Sequence, residues 1–422
     1  MTLNGYRHTP SPDFLMRKTD REKTEGIAEY VVNHGKFSFS DVPFGPADSL
    51  VFSILSYLTP EAVFPDFDGR QKMPLKRLAQ LYERHYVPPE HPGRFSMEAR
   101  APELLYRLAV SARFSEIAVT NYESYLDEEK ESQFAAMTFS AQNGSIYITY
   151  RGTDDHIIGW KEDFNMSCCD SVPSQKRALL YLKQQAEREE TERIFLGGHS
   201  KGGNLAIYAA AFADRAVQRK IAGIHSFDSP GFSERFFSYP GYRSISGRII
   251  NFMPENSMVG RLFEHRAEIR IVRSRARGFL QHIPFYWCIS GSDFIYTGSF
   301  GRSSRMFAET MRNWISGPDD EEKKMFVDAL FDLLSDAGIR TTGEMHLDFG
   351  KVRRLFGSIR SMPERNRKNF FRWIGRLLKE SGRTAGRDLF SAGGFSSGDS
   401  GRRQSLCAAE QTDDLREKTG KK

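Results

Sequence analysis

The sequence predicts an α/β fold, a mostly parallel sheet flanked by helices, with a helical C-terminal extension. Three observations predict it. Short β-rich runs alternate with apolar helical stretches: Arg193 to Leu196, a helix from Asn204 to Phe212, Gly223 to Phe227, then Arg248 to Phe252. Such alternation over short connections is the pattern of parallel strands covered by helices. The first of these strands runs into its helix through a glycine-rich turn, Gly197-Gly-His-Ser-Lys-Gly-Gly203. After Gly317-Pro318 the β signals stop and helical stripes take over.

In chain order, residues 1–25 read as a flexible arm because they are polar and charged. Leu50, Val51, Ile54, Leu55 and Leu58 recur at helical spacing and predict a helix from Ala47 to Leu58; further helices are expected over Lys72 to Tyr86 and Glu103 to Ser111. Ile117 to Thr120, Phe134 to Phe139 and Ser145 to Tyr150 read as strands, with Asn143-Gly144 as the hairpin turn before the last. A helix from Ser174 to Arg188 follows. Glu268 to Arg273 and Tyr286 to Ile289 are expected to form a last strand pair, closing a domain over 26–316. The extension over 317–380 opens with an acidic first turn at Asp319 and Asp320. It continues with a stripe through Met325, Phe326, Ala329, Leu330, Leu333 and Leu334, stops at Gly338, and resumes as helices over Phe349 to Arg360 and Pro363 to Glu380. Residues 381–422 are Gly, Ser and charge with few large apolar side chains, the composition of a disordered tail.

The 422 residues carry 39% hydrophobic and 27% charged side chains and a net charge of +6, which suits a globular chain and names no partner. No apolar run is long enough to span a bilayer and the first segment lacks the apolar stretch of a signal peptide, so a cytoplasmic location is expected. Cys168, Cys169, Cys288 and Cys407 have neither zinc-ligand nor disulfide-framework spacing and are read as reduced thiols. No metal and no cofactor are expected. Nor is nucleic-acid binding, because the basic C-terminal residues interleave with apolar ones and match no recognised binding motif.

The chemistry points to the glycine-rich turn. Gly198-His-Ser200-Lys-Gly202 has the form of a nucleophile elbow, in which a serine sits on a strained strand-to-helix turn that admits only small neighbours two positions away. Gly394-Phe-Ser396-Ser-Gly398 matches the same pattern but lies in the tail, with neither strand nor helix beside it. Ser200 is therefore the candidate nucleophile, and the plain alternative is a structural turn. The Lys201 N–H lies where an oxyanion needs a donor, and Thr153, after Tyr150-Arg-Gly152, can supply the second. A general base is expected downstream. Of His225, His265 and His282, the first lies inside a strand, the second in a basic stretch read as solvated, and His282 in a loop able to reach the turn. Asp228 and Glu255 each follow a strand at the carboxyl edge, so either can serve as the acid.

Tyr-Arg-Gly-Thr153 with Gly-Trp160-Lys-Glu-Asp163, the Gly-His-Ser200 turn, and Gln-His282-Ile-Pro-Phe-Tyr-Trp287 together resemble the oxyanion strand, nucleophile elbow and histidine loop of class 3 lipases. The closer resemblance is to the Mbeg-like bacterial α/β-hydrolase family, through Asp48 to Val51, Asp228-Ser-Pro-Gly-Phe232, Ser257 to Gly260 and the Gln-His loop. That resemblance covers about residues 26 to 375. It implies an α/β-hydrolase fold with Ser200, His282 and a carboxylate as triad, and leaves the substrate undefined. Class 3 lipases usually have Leu after the nucleophile and an Asp where Ser257 stands. The first departure places a charge, Lys201, beside a pocket those enzymes keep apolar; the second favours Asp228 as the acid.

The leading functional expectation is thus a serine hydrolase acting on an acyl ester, small-molecule or lipid-like. The rival is a non-catalytic hydrolase fold used for binding, which gains if neither Asp228 nor Glu255 reaches His282. In Asn369 to Lys379, Phe370, Ile374, Leu377 and Leu378 line one face while Arg372, Arg376 and Lys379 line the other. This helix is expected to pack on the hydrolase, the alternative being a basic amphipathic helix at an anionic membrane, and any peripheral membrane contact is expected to be weak and salt-sensitive.

Overall fold

The computed structural model describes residues 24–392 apart from 65–71, 90–95, 141–144, 189–190, 318, 342–343 and 345–348. Its frame is a nine-stranded sheet. In spatial order the strands are β1 (Met73–Pro74), β2 (Ala118–Asp127), β3 (Ser132–Ser140), β4 (Ser145–Tyr150), β5 (Arg193–His199), β6 (Ile221–Phe227), β7 (Ile249–Pro254), β8 (Glu268–Val272) and β11 (Tyr296–Thr297). Strands β4 to β8 are parallel, whereas β1 to β3 form an antiparallel meander leading into β4 and β11 pairs antiparallel with β8, so the sheet is mixed. β9 (Ile289–Ser290) and β10 (Asp293–Phe294) make a separate small hairpin.

Helices α1 (Ile27–His34), α2 (Pro46–Leu55), α3 (Pro60–Val63), α4 (Leu75–His85) and α5 (Ala101–Ala109) cover one face. Leu50, Val51, Ile54 and Leu55 of α2 pack there with Phe139, Tyr147, Phe227 and Phe252. Asp48, in the Asp-Ser-Leu-Val stretch, is fully buried and ties this layer together. Its carboxylate accepts from Tyr30 Oη at 2.7 Å, Arg113 Nε at 2.7 Å, Arg113 Nη2 at 2.6 Å and Gly45 N at 2.9 Å. Between β4 and β5 lie α6 (Ile157–Asn165) and α7 (Pro173–Ala186). The second face is covered by α7, α8 (Lys201–Phe212), α9 (Arg215–Lys220) and α10 (Pro240–Ile245), whose Leu182, Leu205, Ala209 and Ile245 pack on Ile148, Leu196 and Ile224.

The C-terminal helices are α11 (Arg302–Ile315), α12 (Asp320–Asp336), α13 (Phe349–Ser361) and α14 (Glu364–Ala392). Asp319 caps α12 by accepting from Glu322 N at 2.8 Å, and Gly338, at φ 74°, provides the stop after it. Trp314, Phe326, Phe370 and Trp373 form their core, with the Phe326 and Trp373 rings stacked at 5.1 Å. Val327 and Phe331 of α12 also pack on Ile157 of α6, which anchors this helical layer to the sheet domain.

The structure corrects several expectations. Tyr286 to Ile289 does not run alongside β8; it meets the chain only just past the end of that strand, where Trp287 bridges antiparallel to Ser274. Pro284 to Tyr286 is a 3-10 turn, Trp287 is a fully buried plug whose Nε1 donates to Gln281 O at 2.8 Å, and Tyr296–Thr297 takes the edge instead. Helix α11 carried no expectation, because its buried face is narrow and set among Arg302, Arg305 and Arg312. The last helix runs to Ala392, beyond the expected boundary at 380. Glu25, expected in the arm, bridges to Ile289. The Asn143-Gly144 turn, Ser396, Cys407 and residues 1–23 and 393–422 lie outside the described residues. Cys168, Cys169 and Cys288 are free thiols, and no helix among the described residues is long and apolar enough to cross a membrane.

Candidate active site

Sheet register sets the site. Tyr150 pairs with Gly198, His199 with Phe227, and Phe227 with Phe252, so the carboxyl ends of β4 to β7 finish in one row. The residues that follow them, including Thr153, Ser200, Asp228 and Glu255, emerge along that edge, where open α/β sheets bind ligands.

Ser200 joins β5 to α8 at φ 56° and ψ −133°, a backbone conformation that costs about 1 to 3 kcal/mol for a residue with a side chain. It is held there by Ser200 N donating to Phe227 O at 2.9 Å. The flanking glycines are required sterically: a Cβ on Gly198 would lie 2.3 Å from Gly202 C, and one on Gly202 would lie 2.0 Å from Tyr150 O. Gly152 is constrained in the same way, since a Cβ there would meet Tyr57 Oη at 2.2 Å and His199 O at 2.6 Å. The end of β4 can therefore press directly against the elbow.

Asp228 follows β6 at φ 48° and is fully buried. Its Oδ2 accepts from His282 Nδ1 at 2.7 Å, while Oδ1 accepts from Ser257 Oγ at 2.5 Å and Gly260 N at 3.1 Å. The segment Ser257 to Gly260 thus holds the Asp228 carboxylate, and Gly260 leaves room for it, because a Cβ would lie 2.5 Å from Asp228 Oδ1. Glu255 instead turns its backbone into contacts with Val272 and Gly301, and its side chain makes no hydrogen bond to His282. His282 ends a 3-10 turn, Gly278–His282. Its loop is pinned by Gln281, which accepts from Asn256 N at 2.8 Å and donates to Ala276 O at 3.0 Å. Ser200 Oγ makes no hydrogen bond to His282 in this structure.

The other two histidines are elsewhere. His225, within β6, has its pKa pushed down to about 4 by burial and by Arg270. His265 is not solvated as expected: burial lowers its pKa to about 4 and its Nε2 is buried without a partner.

Lys201 also departs from expectation. Its ammonium does not border the pocket. It is fully buried behind the elbow, donating to Glu162 Oε2 at 3.0 Å and Gln133 O at 2.9 Å. Glu162 on α6 also accepts from Gln133 N at 3.1 Å and Ser174 N at 2.9 Å, so the pair is closed on itself. The Lys201 N–H, as the first residue of α8, has no intrahelical acceptor and remains at the elbow.

Sequence reasoning missed three side chains here. Tyr57, His199 and Asp163 join the site from 142 and 10 residues away from their partners. His199 Nε2 donates to His282 O at 2.8 Å, so Nδ1 is the acceptor for Tyr57 Oη at 2.9 Å. Burial, reinforced by His282, keeps the His199 pKa well below the ordinary histidine value. Thr153 Oγ1 donates to Asp163 Oδ2 at 2.5 Å. Asp163 and His199 stood in motifs already singled out, but neither was given a part in the site, and Tyr57 stood in none.

Burial pushes the Asp163 carboxyl up to about 6, against the opposing pull of Lys201 and Thr153. A raised carboxyl pKa means the folded chain holds this proton more tightly than the unfolded one. Its ionisation therefore costs stability, increasingly as pH rises from about 4 through 6 and by a constant amount above. Asp163→Asn keeps an acceptor for Thr153 and is expected to be more stable than wild type at pH 8, by roughly 1 to 3 kcal/mol, and about equal to it at pH 4. Urea denaturation at the two pH values checks this; an equal gain at both would show that ionisation is not the cause.

Ser200, His282 and Thr153 open onto one cavity of about 460 Å³. Its walls are mainly apolar: Trp160 and Phe164 from α6, Met258 and Leu262 after β7, and Met311, Phe326, Trp373 and Leu377 from the C-terminal helices. The helical extension is thus part of the site and closes it from above.

A family model described as Mbeg1-like matches residues 108–332. Among solved structures the chain is similar to M37 lipase, at 15% identity and a TM-score of 0.32 over 51% of this chain and 69% of that one. It is also similar to Rhizomucor miehei lipase in its propeptide complex, at 13% identity and a TM-score of 0.33 over 61% and 74%. A third similar structure is the lipase from Rhizopus microsporus var. chinensis, at 11% identity and a TM-score of 0.29 over 58% and 80%. No curated protein matches.

Proposed function

The chain belongs to the Mbeg1-like family, and from that premise we propose that it is a serine hydrolase of acyl esters. In this reading Ser200 is the nucleophile, His282 the general base and acid, Asp228 the orienting carboxylate, and the Thr153 and Lys201 amides the oxyanion donors. The observation that carries it is an aspartate-bound histidine, at 2.7 Å, sharing one apolar cavity with a serine held at positive φ.

Ser200 Oγ attacks the acyl carbonyl carbon as its proton passes to His282 Nε2. Nδ1–H stays donated to Asp228, which stabilises the imidazolium. The carbonyl oxygen becomes the oxyanion facing the two amides. The bond to the leaving alcohol then breaks as His282 returns the proton, leaving an acyl-serine; water repeats the sequence and releases the acid. The cavity's apolar walls suit an acyl chain, and the Lys201 charge is buried behind the elbow on Glu162, outside a lining whose one lysine among the described residues is Lys323 of α12.

A fluorophosphonate probe tests the reading. Wild type is expected to be labelled on the peptide containing Ser200, and Ser200→Ala to be unlabelled. Absence of labelling in wild type, or labelling that survives in Ser200→Ala, overturns it. The rival reading, a non-catalytic binding fold, would gain if neither Asp228 nor Glu255 reached His282; Asp228 lies 2.7 Å from it, which supports the hydrolase reading.

A further inference from the structure

Helix α14 has two unlike sides. Trp373, Ile374 and Leu377 turn inward and wall the cavity that holds Ser200. Phe371 and Leu378, two turns apart, point outward and are 53% and 69% exposed; Phe356 on α13 is 69% exposed. Single exposed apolar residues are ordinary on a protein surface. What is not ordinary is the charge of the helical segment that carries them. Residues 349–385 contain 11 Lys and Arg against two Glu, a net of +9 in a chain of net +6, so the remainder is net negative.

Some of these cations are committed. Arg376 donates to Asn313 O at 2.7 Å, Arg354 Nη2 to Ala337 O at 2.9 Å, and Arg372 pairs with Glu322. Arg353, Arg360 and Lys379 are exposed and make no ion pair among the described residues. A basic helical surface with outward Phe and Leu is the combination that docks at an anionic bilayer: the cations are drawn to the headgroups and the apolar side chains enter the interface. Neither the charge nor the apolar residues alone would choose this partner. The cavity on the inner side of the same helix is the third element, since it places an acyl-sized apolar space directly behind the docking surface.

We propose that the outer surface of α13 and α14 docks the protein on anionic phospholipid membranes, and that its substrate is a lipid ester drawn from that surface into the cavity. The substrate half of this proposal rests on the serine-hydrolase reading; the docking half does not.

The test separates them by measuring binding in Ser200→Ala, which cannot turn over. The full-length Ser200→Ala protein is expected to sediment with phosphatidylcholine vesicles containing phosphatidylglycerol, to lose that binding as salt is raised, and to ignore vesicles of phosphatidylcholine alone. Adding Arg353→Glu, Arg360→Glu and Lys379→Glu should weaken binding about a hundredfold. Adding Phe371→Asp and Leu378→Asp instead should weaken it at least about tenfold. With Ser200 restored, both sets should hydrolyse a soluble p-nitrophenyl ester at the wild-type rate, which shows that they are folded. Equal binding to neutral vesicles, binding unmoved by both sets, or retention on an RNA homopolymer without vesicle binding overturns the proposal. Vesicle binding in a protein that hydrolyses no ester would instead sink the hydrolase reading and leave the docking surface standing.

Discussion

Asp228→Asn is expected to lower turnover of an acyl ester by about four orders of magnitude, with little change in substrate binding. The size follows from how the carboxylate is held. Oδ1 faces two groups that donate to it, Ser257 Oγ and Gly260 N, and the second can only donate. An asparagine must therefore keep its carbonyl oxygen on that side, and its amide nitrogen turns toward His282. An NH₂ there donates to Nδ1, so the imidazole proton moves to Nε2. A histidine protonated at Nε2 cannot take the Ser200 proton. Substrate contacts in the cavity are untouched, so the loss falls on kcat. Glu255→Gln is the control. Its side chain makes no hydrogen bond to His282, and it is expected to stay near wild type. Steady-state kinetics with a p-nitrophenyl ester decides: the reverse order of effects would move the acid to Glu255.

That choice was only partly legible in the sequence. Both acids follow adjacent parallel strands, so topology gives them equal standing; what separates them is a φ of 48° at Asp228 and two donors from the segment Ser257 to Gly260. The elbow was legible because its requirement is local: small residues two positions either side of Ser200, a strand before and a helix after. The parallel strands were legible for the same reason, each being a short run between turn signals. Tyr286 to Ile289 misled because an apolar run has the same composition whether it pairs in a sheet or fills a core, and Trp287 fills a core. Helix α11 and the Tyr57–His199–His282 link were not legible at all. The first buries a narrow stripe among arginines, and the second joins residues that only the packing of α2 against the sheet brings together. Lys201 was misplaced for a related reason. Its position in sequence fixes its backbone at the elbow, but the destination of a four-carbon side chain depends on where an opposite charge lies.

That opposite charge, Glu162, leads to the second large effect. Lys201→Met is expected to destabilise the fold by about 3 to 5 kcal/mol, because it leaves a carboxylate with no exposure and no cation. The double variant Lys201→Met with Glu162→Gln should recover most of that loss, since it removes the uncompensated charge and its amide oxygen can still accept from one of the two backbone N–H groups, Gln133 N or Ser174 N. Urea denaturation of the two variants checks this: equal losses would mean that packing of the lysine stem, and not the uncompensated charge, is what matters. The double variant also reads out the pair's second role. Lys201 carries one of the proposed oxyanion amides. Glu162 is next in sequence to Asp163, which accepts from Thr153, the residue carrying the other. The ion pair therefore fixes α6, and through Asp163 the Thr153 loop, against the elbow. Once stability is restored, this variant is expected to show a lower kcat with KM nearly unchanged, because amides that have drifted apart lose an interaction made only when the carbonyl oxygen becomes an oxyanion. A double variant with wild-type kcat would mean that the sheet alone holds the two donors in place.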